Sequence, residues 1–200
     1  SMDVEGYNAL AKNGMHKQNI HNALHLNQGN LFSSEISQLT GFAKTEWSWS
    51  CLLSDFDNDG LRDLFVANGY RRNVFDGDLK AKVTAYVNRN RHKYKSPDEM
   101  LKKGFKEFIE VYDPIRVTDY LFQNKGDLKF ENVTAEWGFD EPGFSNGAAA
   151  GDLDNDGDLD LVVNRLEDEA FLYENTASHY SNYVKVKLQG PSGNRDGIGA

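Results

Sequence analysis

Two hundred residues, 39% of them hydrophobic, suffice for one globular body with its own core, and a charged fraction of 26% argues against wholesale disorder. The net charge of −9 excludes nucleic acid as the general partner, and no apolar run approaches the roughly 18–20 residues that a membrane-spanning helix needs. A single cysteine, Cys51, excludes an internal disulfide and reads as a buried apolar thiol.

Residues 1–23 form a polar lead-in containing MHKQNIHNAL. His16, His21 and His25 have no acid or thiol at helical or hairpin spacing, so they read as ordinary surface or strand residues and not as ligands. From Leu24 the pattern becomes β-like. A strand, an NxG turn at Asn27–Gly29, a second strand and a Gly41-Phe42 turn lead to a third strand. There Trp47, Trp49 and Cys51 alternate with Ser48 and Ser50, which predicts an in-out strand with the tryptophans in the core; a ligand platform is the other reading. An acidic loop, DFDNDGLRDL from Asp55 to Leu64, then runs into the apolar stretch LFVAN, read as a fourth strand. Each unit of this kind, here 24–71, is expected to form one blade-like sheet.

Residues 72–118 break the β pattern. SPDE at Ser96 to Glu99 is a helix start, with Ser as cap, Pro at the first position and Glu at the third. Leu101, Phe105, Phe108 and Tyr112 then make one apolar stripe, and Pro114 ends the helix. Leu79 to Tyr94, with Val83, Tyr86 and Val87 on a shared face, predicts a preceding helix, so the segment reads as a helical hairpin. Lys and Arg dominate from Arg71 to Lys106, which suits either a solvated basic face or an anionic partner.

Residues 119–175 repeat the first unit. Sliding the chain by 97 residues superimposes Leu24–Val66 on Leu121–Val163 without a gap, and 15 of the 43 positions are identical. The strand entering the second loop, SNGAAAGD, is built of small residues suited to close approach of neighbouring sheets. The loop itself, DLDNDGDLDL, spans Asp152 to Leu161.

Both loops place Asp at positions one, three, five and nine and Gly at six. Four carboxylates so close repel strongly unless a cation lies among them. Oxygen-only ligands with no nearby Cys or His favour a hard cation, and calcium is the first choice, one ion per loop and two in total. The expected ligands are Asp55, Asp57, Asp59 and Asp63 in the first loop and Asp152, Asp154, Asp156 and Asp160 in the second. By analogy with other oxygen-rich loops, Leu61 and Asp158 at position seven contribute a main-chain carbonyl. An EF-hand is set aside: position twelve is Val66 or Val163 instead of Glu, and a strand follows in place of a helix.

The paired DxDxDGxxDL loops, each preceded by an NxG turn and strand, resemble the FG-GAP or VCBS repeats of calcium-bearing β-propellers. Residues 182–200, with the pattern NRxGIGA, resemble the opening of the ASPIC/UnbV domain that follows such repeats in secreted or surface-attached bacterial proteins. The resemblance implies a mainly β fold, a partial β-propeller of four-stranded blade-like sheets with an inserted helical hairpin, within a longer secreted, periplasmic or cell-surface protein. It also implies the calcium ligands named above. No nucleophile elbow, phosphate loop, Ser-His-Asp order or zinc signature is present, so the chain reads as a non-catalytic module for protein or glycan partners. The alternative is a calcium-assisted, lyase-like carbohydrate-active enzyme with its active site largely outside this chain.

Overall fold

A computed structural model describes residues 8, 12–14, 21–72, 77–177, 184 and 186–199. His16 and most of the lead-in lie outside the described residues, as do Asn182, Tyr183, Lys185 and Ala200 of the segment expected to open a further domain. The fold is mainly β, with three antiparallel sheets and few helices. Strands β1 (His25–Gly29) and β2 (Phe32–Glu35) form a hairpin, and a one-turn helix α1 (Ser37–Thr40) follows. Strands β3 (Ser48–Ser54), β4 (Asp63–Asn68), β5 (Tyr120–Asn124) and β6 (Phe130–Asn132) form a four-stranded sheet in chain order. Strands β7 (Ser145–Gly151), β8 (Asp160–Arg165) and β9 (Phe171–Tyr173) form a three-stranded sheet. No sheet closes on itself among the described residues.

The sequence repeat is visible in the backbone. Gly29, Asn30 and Leu31 have φ of 79°, 49° and 67°, and Gly126, Asp127 and Leu128 have 77°, 50° and 59°. In each hairpin the Asn side chain accepts the amide two residues on: Gly29 N to Asn27 Oδ1 at 2.8 Å, Gly126 N to Asn124 Oδ1 at 2.9 Å. Sheets, however, do not coincide with repeats. β4 of the first unit pairs with β5 of the second, Phe65 opposite Leu121, so the four-stranded sheet joins the second half of one repeat to the first half of the next. The expectation of one sheet per repeat is corrected accordingly: similarity defines the unit's period but leaves its cut point open.

β4 is the centre of the body, buried at every residue. Phe65 and Ala67 point to a core shared with Leu121, Val133, Phe139, Leu161 and Val163, between the two larger sheets. Leu64 and Val66 point the other way, to Phe42 and Phe122, with Leu24 packed beside them. A strand buried on both faces reads as an uninterrupted apolar run, which explains LFVA. Gly69 continues this strand at φ 147°, and a Cβ there would lie 2.6 Å from the Phe144 Cα, so glycine is the residue that lets the two sheets meet.

Trp47 and Trp49 are not in the core. Trp49 is 55% exposed, Trp47 is 39% exposed and Cys51 is exposed, which corrects both the in-out assignment and the buried thiol. Leu52, opposite Phe65, is the β3 residue packed on the central core. Cys51 and Leu53 share the face of Val66 and Leu64, but the cover supplied by Phe42 and Phe122 does not reach β3. The small-residue strand behaves as expected, with Ala148 and Ala150 packed on the core.

The insertion is helical. α2 (Leu79–Asn90) runs into a 3-10 turn (Arg91–Lys93), and α3 (Pro97–Ile109) starts at Ser96, whose hydroxyl accepts Glu99 N at 3.1 Å. Glu99 reaches back to the Lys95 amide at 2.7 Å. Tyr86 of α2 packs edge-on against Phe108 of α3, and Met100 is buried, but Phe105 is 55% exposed and departs from the predicted stripe. Arg72 pairs with Glu110 at 2.8 Å and Lys82 with Asp113 at 2.5 Å, so acids just beyond the basic stretch offset part of its charge. Among the described residues no helix is long and apolar enough to cross a membrane.

Candidate metal loops

Each acidic loop is a connection between two paired strands, β3–β4 for the first and β7–β8 for the second. The backbone follows the same path in both. Asn58 and Asn155, at position four, have φ of 58° and 68°; Gly60 and Gly157, at position six, have 90° and 97°. Asn tolerates the left-handed region better than most residues and Gly adopts it freely, so the NDG triplet is what turns the chain.

The turn gathers carboxylates. One oxygen each of Asp55, Asp57 and Asp63 lies within 4.8 Å of the others, and the same holds for Asp152, Asp154 and Asp156. Oxygens ligating one ion at 2.3–2.6 Å stand about 3–5 Å apart, so an all-oxygen set of this spacing fits a hard cation. The acidic clusters are therefore placed to hold a metal ion.

The remaining expected residues stand differently. Asp59 lies outside the first trio; its Oδ1 accepts Leu61 N at 2.7 Å, while its own amide donates to Asp55 Oδ1 at 3.1 Å and Asp57 Oδ1 at 3.2 Å. Asp156 N donates to Asp154 Oδ1 and Asp158 N to Asp156 Oδ1, each at 3.2 Å. Position seven differs in kind: the Leu61 side chain is partly exposed and Asp158 is buried.

Position nine has a role that spacing alone did not reveal. Asp63 is fully buried and accepts Phe56 N at 3.0 Å and Asn124 N at 2.8 Å. Asp160 accepts Leu153 N and Asn175 N, each at 2.9 Å. In both loops one amide comes from loop position two and the other from the last residue of the next strand, Asn124, or from just beyond it, Asn175, so this aspartate ties the turn to its neighbour. Burial pushes Asp63 up to about 6, with those two amides opposing the rise. Asn175 also joins the loops to each other, donating from Nδ2 to Phe56 O at 2.6 Å and to Leu159 O at 3.1 Å.

Surroundings separate the loops further. The Gln123 amide donates to Asp57 Oδ2, whereas the corresponding residue after β9 is Glu174, an exposed acid. A cleft of about 510 Å³ opens beside the first loop, lined by Phe56, Asp57, Trp137, Phe139, Tyr173 and Glu174 among others.

No curated protein sequence matches the chain. The family comparison finds a match that begins within α3, passes through β5, β6 and β7 and the whole second acidic loop, and ends in β8; the first loop lies outside it. Repeats of this family generally take part in protein or ligand interaction, often bind calcium, and typically belong to extracellular domains. Residues 104–163 match the FG-GAP-like repeat family.

Proposed function

We propose that the chain is a non-catalytic interaction module of partial β-propeller type, stabilised by one calcium ion in each acidic loop and carried by a larger secreted or surface protein that presents it to protein or glycan partners. The observation that carries this reading is the recurrence, in two loops of matching backbone, of three carboxylate oxygens within 4.8 Å of one another. Asp55, Asp57 and Asp63 would hold the first ion and Asp152, Asp154 and Asp156 the second; Asp59, Asp158, Asp160 and the Leu61 carbonyl complete the expected set. Calcium supplies charge neutralisation to the clustered carboxylates. The protein's share is to hold the turns: the NDG triplets shape them, and Asp63 and Asp160 fasten them to the adjoining strands. The NRxGIGA pattern supports a following ASPIC/UnbV-type segment, and the uncovered apolar face of β3 suits a body that continues in further blades.

The enzymatic alternative asks for a base beside the ion. Tyr173 lines the cleft next to Asp57, but burial pushes its hydroxyl up to about 12, far from what a base at neutral pH requires, and among the described residues no Lys or Arg lines that cleft. The test is thermal unfolding in EDTA and in millimolar CaCl₂, with calorimetric titration. Two equivalents bound and a stabilisation of about 2.7 kcal/mol per site at a hundredfold excess over Kd support the reading. No binding and no shift reduce the loops to acidic turns.

A further inference from the structure

The cleft beside the first loop brings the aromatic edge of the core up to acidic side chains. Its floor is aromatic: Phe139 and Tyr173 meet at 4.3 Å between ring centroids, with Phe56 and Trp137 alongside. Its rim is acidic: Asp57, Glu136 and Glu174 line it, and among the described residues no Lys, Arg or His does. An ion in the first loop would compensate Asp57, but Glu136 and Glu174 lie outside both carboxylate trios and keep their charge. Trp137 is held in place by its amide, which donates to Val133 O at 2.9 Å, so the rings are set by the turn after β6 and by β9. Asn175, the one amide side chain in the lining, already spends its NH₂ on Phe56 O and Leu159 O and its oxygen on Ala177 N.

We propose that this cleft receives an arginine side chain of a protein partner. A guanidinium is planar and weakly hydrated; it stacks on ring faces through its quadrupole attraction and donates to carboxylates, while its carbon stem covers apolar floor. A volume of about 510 Å³ accommodates such a side chain together with its flanking main chain. Uncompensated negative charge selects this ligand over a neutral sugar, which would stack on the same rings but leave Glu136 and Glu174 without a counter-charge. The proposal deepens the interaction reading by naming the partner's chemistry, and its geometry does not depend on calcium.

The test is an NMR titration of the intact chain with Nα-acetyl-arginine amide, Nα-acetyl-citrulline amide and maltohexaose, in CaCl₂ and in EDTA, following the Trp137 indole resonance identified through W137F. Saturable millimolar binding of the arginine probe, about tenfold weaker for citrulline and about tenfold weaker in the exposed-site double variant E136Q/E174Q, supports the proposal. Equal response to arginine and citrulline, a response to maltohexaose alone, or no response at all overturns it. Calcium stoichiometry measured on the same samples keeps this outcome separate from the metal reading: either can fail while the other stands.

Discussion

The two acidic loops share a backbone and differ in their surroundings. Both turn on left-handed Asn and Gly, and both bury the ninth aspartate beneath two main-chain amides. The first loop carries Arg62 and exposes Leu61, and its Asp57 receives the Gln123 amide; the second has a fifth aspartate, Asp158, which is buried. What is common therefore serves the turn, and what differs sets the charge that a cation would meet. Structural and electrostatic roles are separable along ten residues.

The largest effect comes from the shared part. D63A and D160A each strand two amides, and each variant should lose about 4 kcal/mol in urea unfolding with EDTA present. Similar losses establish a common fastening role; a loss confined to one loop breaks the equivalence.

Proton linkage comes next. The folded pKa of Asp63 lies near 6, above its ordinary value of 3.8, so the folded state holds the proton more tightly. The resulting stabilisation is complete below about pH 4 and lost as pH rises to about 6, a span of about 3 kcal/mol. D63N should flatten that slope in EDTA, whereas the same slope in the variant would assign it elsewhere. Asp119, buried and bound by Asn68 N and Ser145 Oγ, shifts in the same direction and contributes to the residual slope.

Charge difference sharpens the comparison at a smaller scale. The second loop should bind calcium about tenfold more tightly, with D154A removing the tighter step of the titration and D57A the weaker. Loss of the tighter step in D57A reverses the ranking. Smallest of all, Q123E replaces the amide that donates to Asp57 with an acid. In EDTA it should cost about 0.5 kcal/mol, by like-charge repulsion with Asp57. A stabilised variant would show that this hydrogen bond matters less than drawn.

Much of this was legible in the sequence. The acidic loops, the NxG hairpins and the Ser96 helix cap follow from local chemistry, in which a residue's neighbours along the chain are also its neighbours in space. Other features depend on partners that arrive from far away. Alternation showed that Trp49 and Ser50 face opposite ways, but which way is inward depends on where the cover of Phe42 and Phe122 ends. The second role of the ninth aspartate, as a fastener of its loop, stayed hidden because nothing in the loop announces Asn124 N, sixty-one residues on. The cleft likewise assembles Glu136, Tyr173 and Asp57 from three separate segments.

The offset between repeat and sheet also has a consequence in time. During synthesis β4 emerges with β3 on one side and nothing on the other, and its second partner, β5, follows only after the whole helical insertion. At 5–20 residues per second that wait lasts roughly 3–10 s. Throughout it, the most fully buried of the described strands has an open edge. The basic helical insertion lies between β4 and β5 in the chain, so it emerges beside the unfinished sheet before β5 closes it.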